Sequence, residues 1–162
     1  MKILRLLIGE KPYALPISFI REILEETDYT PVEKAPKDVL GLMNVRGQIV
    51  TVLSPAASLH CSDSKETSHK RIIILKRNSD LPEQQHFQDG QEGTAEDLYA
   101  FQVDKIGEVV EINEDQLKPI PGNTPEFDAT FLTAIARIGD EVIPVLHLKN
   151  IILQEKQEER AI

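Results

Sequence analysis

The chain has 162 residues with 18 Lys+Arg against 27 Asp+Glu, a formal charge of −9 that excludes a Lys/Arg grip on nucleic acid or anionic lipid. Its single cysteine, Cys61, excludes an intrachain disulfide, a four-cysteine zinc site and a CxxC redox pair, and it fits the reducing cytoplasm. The start, MKILRLLIGEKPY, is too briefly apolar for a secretory leader, and no run reaches the ~18 apolar residues of a membrane span, so no direct membrane insertion is expected.

Short runs of Ile, Val and Leu divided by Gly, Pro and Asn turns predict an all-β protein. Lys2 to Ile8 reads as a strand, 9–12 as a turn and Tyr13-Ala-Leu-Pro-Ile17 as the return strand, continuing irregularly into Ile20-Arg-Glu-Ile-Leu24. Pro16 within that return strand predicts an edge or a bulge. Pro31 to Pro36 reads as an extended linker and Lys37 to Met43 as one helical turn. Arg46-Gly47 then forms a hairpin turn into the strand Gln48 to Leu53, followed by a small-residue turn or short helix over Ser54 to His60.

A second pass begins at Arg71-Ile-Ile-Ile-Leu-Lys76 and resembles the first. At a constant offset of 86, Ala14, Ile20, Glu22 and Glu25 recur identically as Ala100, Ile106, Glu108 and Glu111. Leu15, Ile17, Ile23 and Leu24 recur as Phe101, Val103, Val109 and Val110. Ile49-Val-Thr-Val-Leu53 is echoed by Val142-Ile-Pro-Val-Leu146 at an offset of 93. A unit recurring once predicts a two-lobed fold, each half a small closed or partly closed barrel, with the two barrels packed together. The expected division puts a first barrel at about 1–66 and a second at about 67–148. A C-terminal helix at about 147–156 and a frayed tail over 157–162 complete a single domain of 1–153. Residues 77–98 break the repeat with a long polar loop, a tolerated insertion at a hairpin tip or a partner-specific contact.

Catalytic patterns are missing: there is no P-loop, dinucleotide-binding glycine pattern, nucleophile elbow or HExxH, so no enzyme is expected and no cofactor. His60, His69, His86 and His147 lack the short spacings that set two imidazoles on one metal, so no metal site is predicted. His147 alternates with strand residues and reads as a partly buried structural histidine, while neighbours His60 and Cys61 point to opposite sides of an extended chain. Glu22 lies between Ile20 and Ile23, which reads either as a solvated edge or as an outward recognition contact beside an apolar rim. In Gly41-Leu-Met-Asn-Val-Arg-Gly-Gln-Ile-Val50, Asn44 and Gly47 are turn formers able to adopt positive φ. They set Arg46 at a hairpin apex, either as a plain solvent-facing residue or as a planar five-donor group offered to a partner.

In this order, the turn Asn44-Val45-Arg46-Gly47 with its apolar strand, Tyr13 to Ile17 with Ile20 to Ile23, and Pro31 through Pro36 to Gly41 resemble the CheW-like family of chemotaxis coupling proteins. Val103-Asp104 with Glu108-Val109, Leu117 to Pro121 and Val142 to Leu153 extend the resemblance over about Leu4 to Leu153. It implies two five-stranded SH3-like barrels sharing a core, agreeing with the duplication. It also implies a non-enzymatic scaffold that binds the regulatory domain of a CheA-type histidine kinase and the cytoplasmic tip of methyl-accepting chemoreceptors. Such a protein works at membrane-associated receptor arrays, held there by its protein partners. By position, Glu22, Ile23 and Arg46 would face the receptor, and Ile20 and Gly41 the kinase. The chain departs from the family at Thr51-Val-Leu-Ser-Pro55, in place of Pro-x-x-Asp-Leu, and at Ala134, where a glycine is expected. The loop 77–98 is also long for the family. The competing reading is a small-molecule-responsive regulatory β-barrel, which predicts a concave pocket.

Overall fold

The computed structural model of the chain describes residues 1–25, 28–56, 58–59, 70–81, 97–122 and 129–152. Their strands are β1 (Lys2–Ile8), β2 (Lys11–Pro16), β3 (Ile20–Leu24), β4 (Val39–Val45), β5 (Gln48–Leu53) and β6 (Arg71–Leu75). After these come β7 (Tyr99–Val103), β8 (Lys105–Glu111), β9 (Leu117–Lys118), β10 (Leu132–Ile138) and β11 (Glu141–Leu146). A helix, α1, follows at 148–152. The remainder of the predicted helix, the tail 157–162, His60, Cys61, His69, His86 and most of the loop 77–98 lie outside the described residues.

Two sheets form, ordered β8-β1-β2-β11-β10-β9 and β3-β6-β7-β5-β4. This corrects the division at residue 66. The hairpin β1–β2 from the first half completes the sheet of β8 to β11, and β6 and β7 from the second half complete the sheet of β3 to β5. The halves meet through the parallel pairs β2 with β11 and β5 with β7, so each half of the chain supplies strands to both barrels. The exchange follows from burial. β6 is apolar along Ile72-Ile-Ile-Leu75 because Ile72 and Ile74 fill the interior of their own barrel while Ile73 and Leu75 enter a core shared by both.

Three apolar clusters result. Met43, Val50, Val52, Ile72, Ile74, Leu98 and Ala100 fill one barrel, and Ile3, Ala14, Ile112, Ala136, Ile143 and Val145 fill the other. Between them, Leu4, Leu6, Leu15, Leu53, Ile73, Phe101, Leu146 and Ile151 belong to one shared cluster. Closure removes the open edges. Thr30, beyond the end of β3, exchanges backbone bonds of 2.8 and 2.9 Å with Leu42 of β4. In the other barrel β8 and β9 follow each other along the chain, joined by a 3-10 turn at Glu114–Gln116, and stand at opposite ends of the strand order.

Two local expectations are revised. Lys37 to Met43 is not helical: Val39–Val45 is a strand paired with β5, with one register shift between Val39 and Gly41, and a hairpin partner outweighs the weak local preference of a segment containing Val39 and Gly41. β2 is not an edge, since it lies between β1 and β11. It pairs with β11 only at Ala14↔Val145, so Pro12 and Pro16 flank that pairing without breaking it.

Candidate functional site

The β4–β5 hairpin and β3 build the site. Val45 pairs with Gln48, leaving a two-residue turn in which Arg46 has φ 49° and Gly47 φ 83°, the doubly positive geometry that matches strand twist. The turn chemistry differs from expectation. Positive φ falls on Arg46 itself, whereas Asn44 stays in β4 and holds the turn with its side chain, accepting the Gly47 N–H through Oδ1 at 2.9 Å. The Arg46 guanidinium donates through Nη2 to Oε1 of Glu22, tying the hairpin tip to β3. These elements stand at opposite ends of the strand order, so the ion pair also marks where the barrel closes.

Alternation along β3 decides what is offered outward. Arg21 and Ile23 are exposed, while Ile20, Glu22 and Leu24 turn partly inward. Glu22 is therefore not the outward member of the site: its side chain is 25% exposed beneath Arg46, whose own side chain is 67% exposed. Ile20 packs against the shared core. Gly41 is buried, and a Cβ there would lie 2.4 Å from the Thr30 carbonyl oxygen and 2.8 Å from the Tyr29 ring, so it permits the closing bridge and presents no side chain of its own. Thus Glu22, Ile23, Arg46, Asn44 and Gly47 come together on β3 and the hairpin, whereas Gly41 is buried and Ile20 is half-buried against the shared core.

Sequence reasoning missed Leu42 and Ile49, both exposed, Ile49 by 60%. Beside Ile49 runs a groove of about 550 Å³ lined by Thr51, Arg77, Ser79, Asp97 and Tyr99. The signal was present. Gln48 to Leu53 lacks the polar alternation of a strand with one wet face, so some of its apolar side chains had to face out.

The repeat copies this face only in part. Val109 and Val142, the counterparts of Ile23 and Ile49, are also exposed. Gly139, with φ 61°, takes the place of Arg46, and Glu108, the counterpart of Glu22, pairs instead with Arg5 at 3.3 Å. Arg5 also pairs with Glu141. Among the described residues no group of three or more His, Cys, Asp or Glu could hold a metal, and no helix is long and apolar enough to cross a membrane.

Two interlocked barrels that exchange strands define the class of paired small β-barrel proteins. The chain belongs to the CheW-like domain family, whose sequence pattern matches residues 2–156. It is 23% identical over 149 residues to a chemotaxis protein CheW of Helicobacter pylori, covering 92% of this chain and 79% of that one. A chemotaxis protein CheW of Rhizobium meliloti is 22% identical over 151 residues, covering 93% and 86%. In fold it is similar to the crystal structure of scaffolding protein TtCheW from Thermoanaerobacter tengcongensis, with a TM-score of 0.76, 23% identity, and 93% and 90% of the chains covered.

Proposed function

We propose that this chain is a non-enzymatic chemotaxis scaffold that couples the cytoplasmic tip of methyl-accepting receptors to the regulatory domain of a CheA-type histidine kinase. One observation carries the reading. Ile23 and Ile49 are exposed on one barrel and their repeat counterparts Val109 and Val142 on the other, so each barrel offers apolar side chains to a partner, and a coupling protein needs two contact surfaces. The charges differ between the faces: Arg46 over Glu22 on one, Arg5 between Glu108 and Glu141 on the other, which lets each face select its own partner. The receptor-facing set is Arg46 and Ile23, with Glu22 holding the Arg46 guanidinium from beneath. Ile20 and Gly41, the kinase-facing positions under the resemblance, lie on β3 and β4 of this same barrel, where they act by holding those strands in place. Modest affinity per contact suffices at membrane-associated arrays, where many copies add their binding.

Calorimetric titration with a kinase regulatory domain and with a receptor-tip fragment tests the reading. Arg46→Ala should weaken receptor-tip binding by about tenfold, roughly 1.4 kcal/mol, with kinase binding and the melting temperature unchanged. Binding of wild-type protein to neither partner overturns the function, and unfolding of Arg46→Ala overturns the role of Arg46.

A further inference from the structure

The excursion between β6 and β7 alters the barrel that carries it. β2 and β7 are counterparts under the repeat, and at the offset of 86 Lys11, the first residue of β2, corresponds to Asp97. β7 nevertheless begins only at Tyr99, so it stops short of the position that β2 reaches in the other barrel.

Register shows what this leaves open. Along β5, residues bonded to β4 alternate with residues whose N–H and C=O point away from it. Thr51 is of the second kind: its N–H donates to the Leu98 carbonyl at 3.1 Å, and Leu42 opposite it turns its own backbone groups outward to Thr30. Ile49, two residues earlier, therefore points its N–H and C=O to the same side as Thr51. β7 pairs with β5 only from Thr51 onward, and among the described residues nothing bonds to the Ile49 backbone on that side. The start of β5 is a short open strand edge in the wall of the barrel.

This edge adjoins the groove of about 550 Å³ already described, and the exposed Ile49 side chain lines it. Arg77 and Ser79, from the start of the excursion, and Asp97, from its end, line the groove as well. Arg77 and Asp97 carry opposite charges and enter no ion pair among the described residues. The counterpart turn of the other barrel, the tight Gly9-Glu10 between Ile8 and Lys11, has no such surface.

We infer that this groove takes an extended segment of a protein partner as one short added strand. Its backbone bonds to Ile49, and it carries an apolar, an acidic and a basic side chain at alternate positions, so that all three share the face turned to the groove. The apolar group lies beside Ile49, the carboxylate meets Arg77 and the cation meets Asp97. A segment of uniform charge would set one of those two groups against its own sign. The edge and the groove do not depend on what the receptor-facing hairpin binds.

The test is an NMR titration of the full-length protein with the capped peptides acetyl-KTVTE-amide and acetyl-ETVTK-amide, which cover both directions of the added strand. Each is taken to about 5 mM, because a few exposed backbone bonds add little net free energy. Salt at about 0.15 M screens the overall negative charge beyond about 8 Å. Saturable amide shifts centred on Ile49, Thr51, Leu98 and Tyr99 are expected. The Ile49 N–H should exchange rapidly with solvent in the free protein and more slowly at saturation. The uniformly charged acetyl-KTVTK-amide and acetyl-ETVTE-amide should each bind about fivefold more weakly than the better mixed peptide, and Asp97→Lys should make acetyl-ETVTE-amide the tightest of the four. Slow exchange of the Ile49 N–H in the free protein, shifts that do not saturate or centre elsewhere, or equal binding of mixed and uniform peptides overturns the inference. Unchanged peptide preference in folded Asp97→Lys also overturns it, and should that variant fail to fold, the wild-type comparison decides. Neither kinase nor receptor enters the titration, so its failure leaves the scaffold reading intact.

Discussion

Arg46 holds positive φ at a cost of about 1–2 kcal/mol for an L-residue, and the second copy of the same turn avoids that cost with Gly139. Arg46→Gly is therefore expected to raise stability by about 0.5–1 kcal/mol in urea unfolding while receptor-tip binding falls. Equal or lower stability would show that the Glu22 ion pair outweighs the backbone strain. Gly41 behaves oppositely: a Cβ driven to 2.4 Å from the Thr30 oxygen overpacks the closing bridge. Gly41→Ala should cost about 1–3 kcal/mol, with faster amide exchange at Thr30 and Leu42. His147 links stability to pH. Burial, opposed by its own backbone and reinforced by the Lys149 charge, lowers its pKa below the ordinary 6.5. The unfolded chain thus binds the proton more tightly than the native protein does. Stability is full above pH 6.5 and declines as pH falls through that value, because the native protein must then carry a charged imidazolium in a buried site near Lys149. Melting temperatures between pH 8 and 5 should fall in the wild type, and the slope should flatten in His147→Asn, which has no titrating ring and keeps an acceptor for the Asn150 N–H. An unchanged slope would exclude His147 as the titrating group.

Elements carry the next lesson, most plainly where the two copies part. Residues 77–98 read as a polar excursion, yet its described ends are anchored: Leu81 belongs to the shared core and Leu98 to the interior of the β3–β7 barrel. Leu81→Ala or Leu98→Ala should each cost about 2–4 kcal/mol, whereas deleting 82–96 with both leucines kept should change stability by less than about 1 kcal/mol. A large loss from that deletion would mean the segment itself packs on the barrels. The strands were legible because Ile, Val and Leu runs end at Gly, Pro and Asn. The β4 segment was not, since a glycine in mid-strand and scattered apolar residues gave no clear period until β5 was placed beside it. Asn44 and Gly47 pointed to the turn, but which residue carried positive φ depended on the register Val45↔Gln48.

At the scale of the molecule, the exchange of strands makes the two barrels one folding unit. A single calorimetric transition with matching van't Hoff enthalpy is expected, and fragments 1–66 and 67–162 should each be unfolded alone, because each lacks strands that its sheets require. Two separate transitions, or a folded fragment, would show that the barrels are independent. The sequence by itself determined the strand content, the duplication, the hairpin bearing Arg46 and the family resemblance, because these reside in local pattern and in one stretch compared with another. Only the tertiary structure decided which strands share a barrel, that Glu22 lies under Arg46, that Gly41 is buried, and that Ile23 and Ile49 are exposed, as are their counterparts Val109 and Val142. Those outcomes depend on which apolar faces bury against each other across more than a hundred residues, a choice settled by packing and closure that no local pattern encodes.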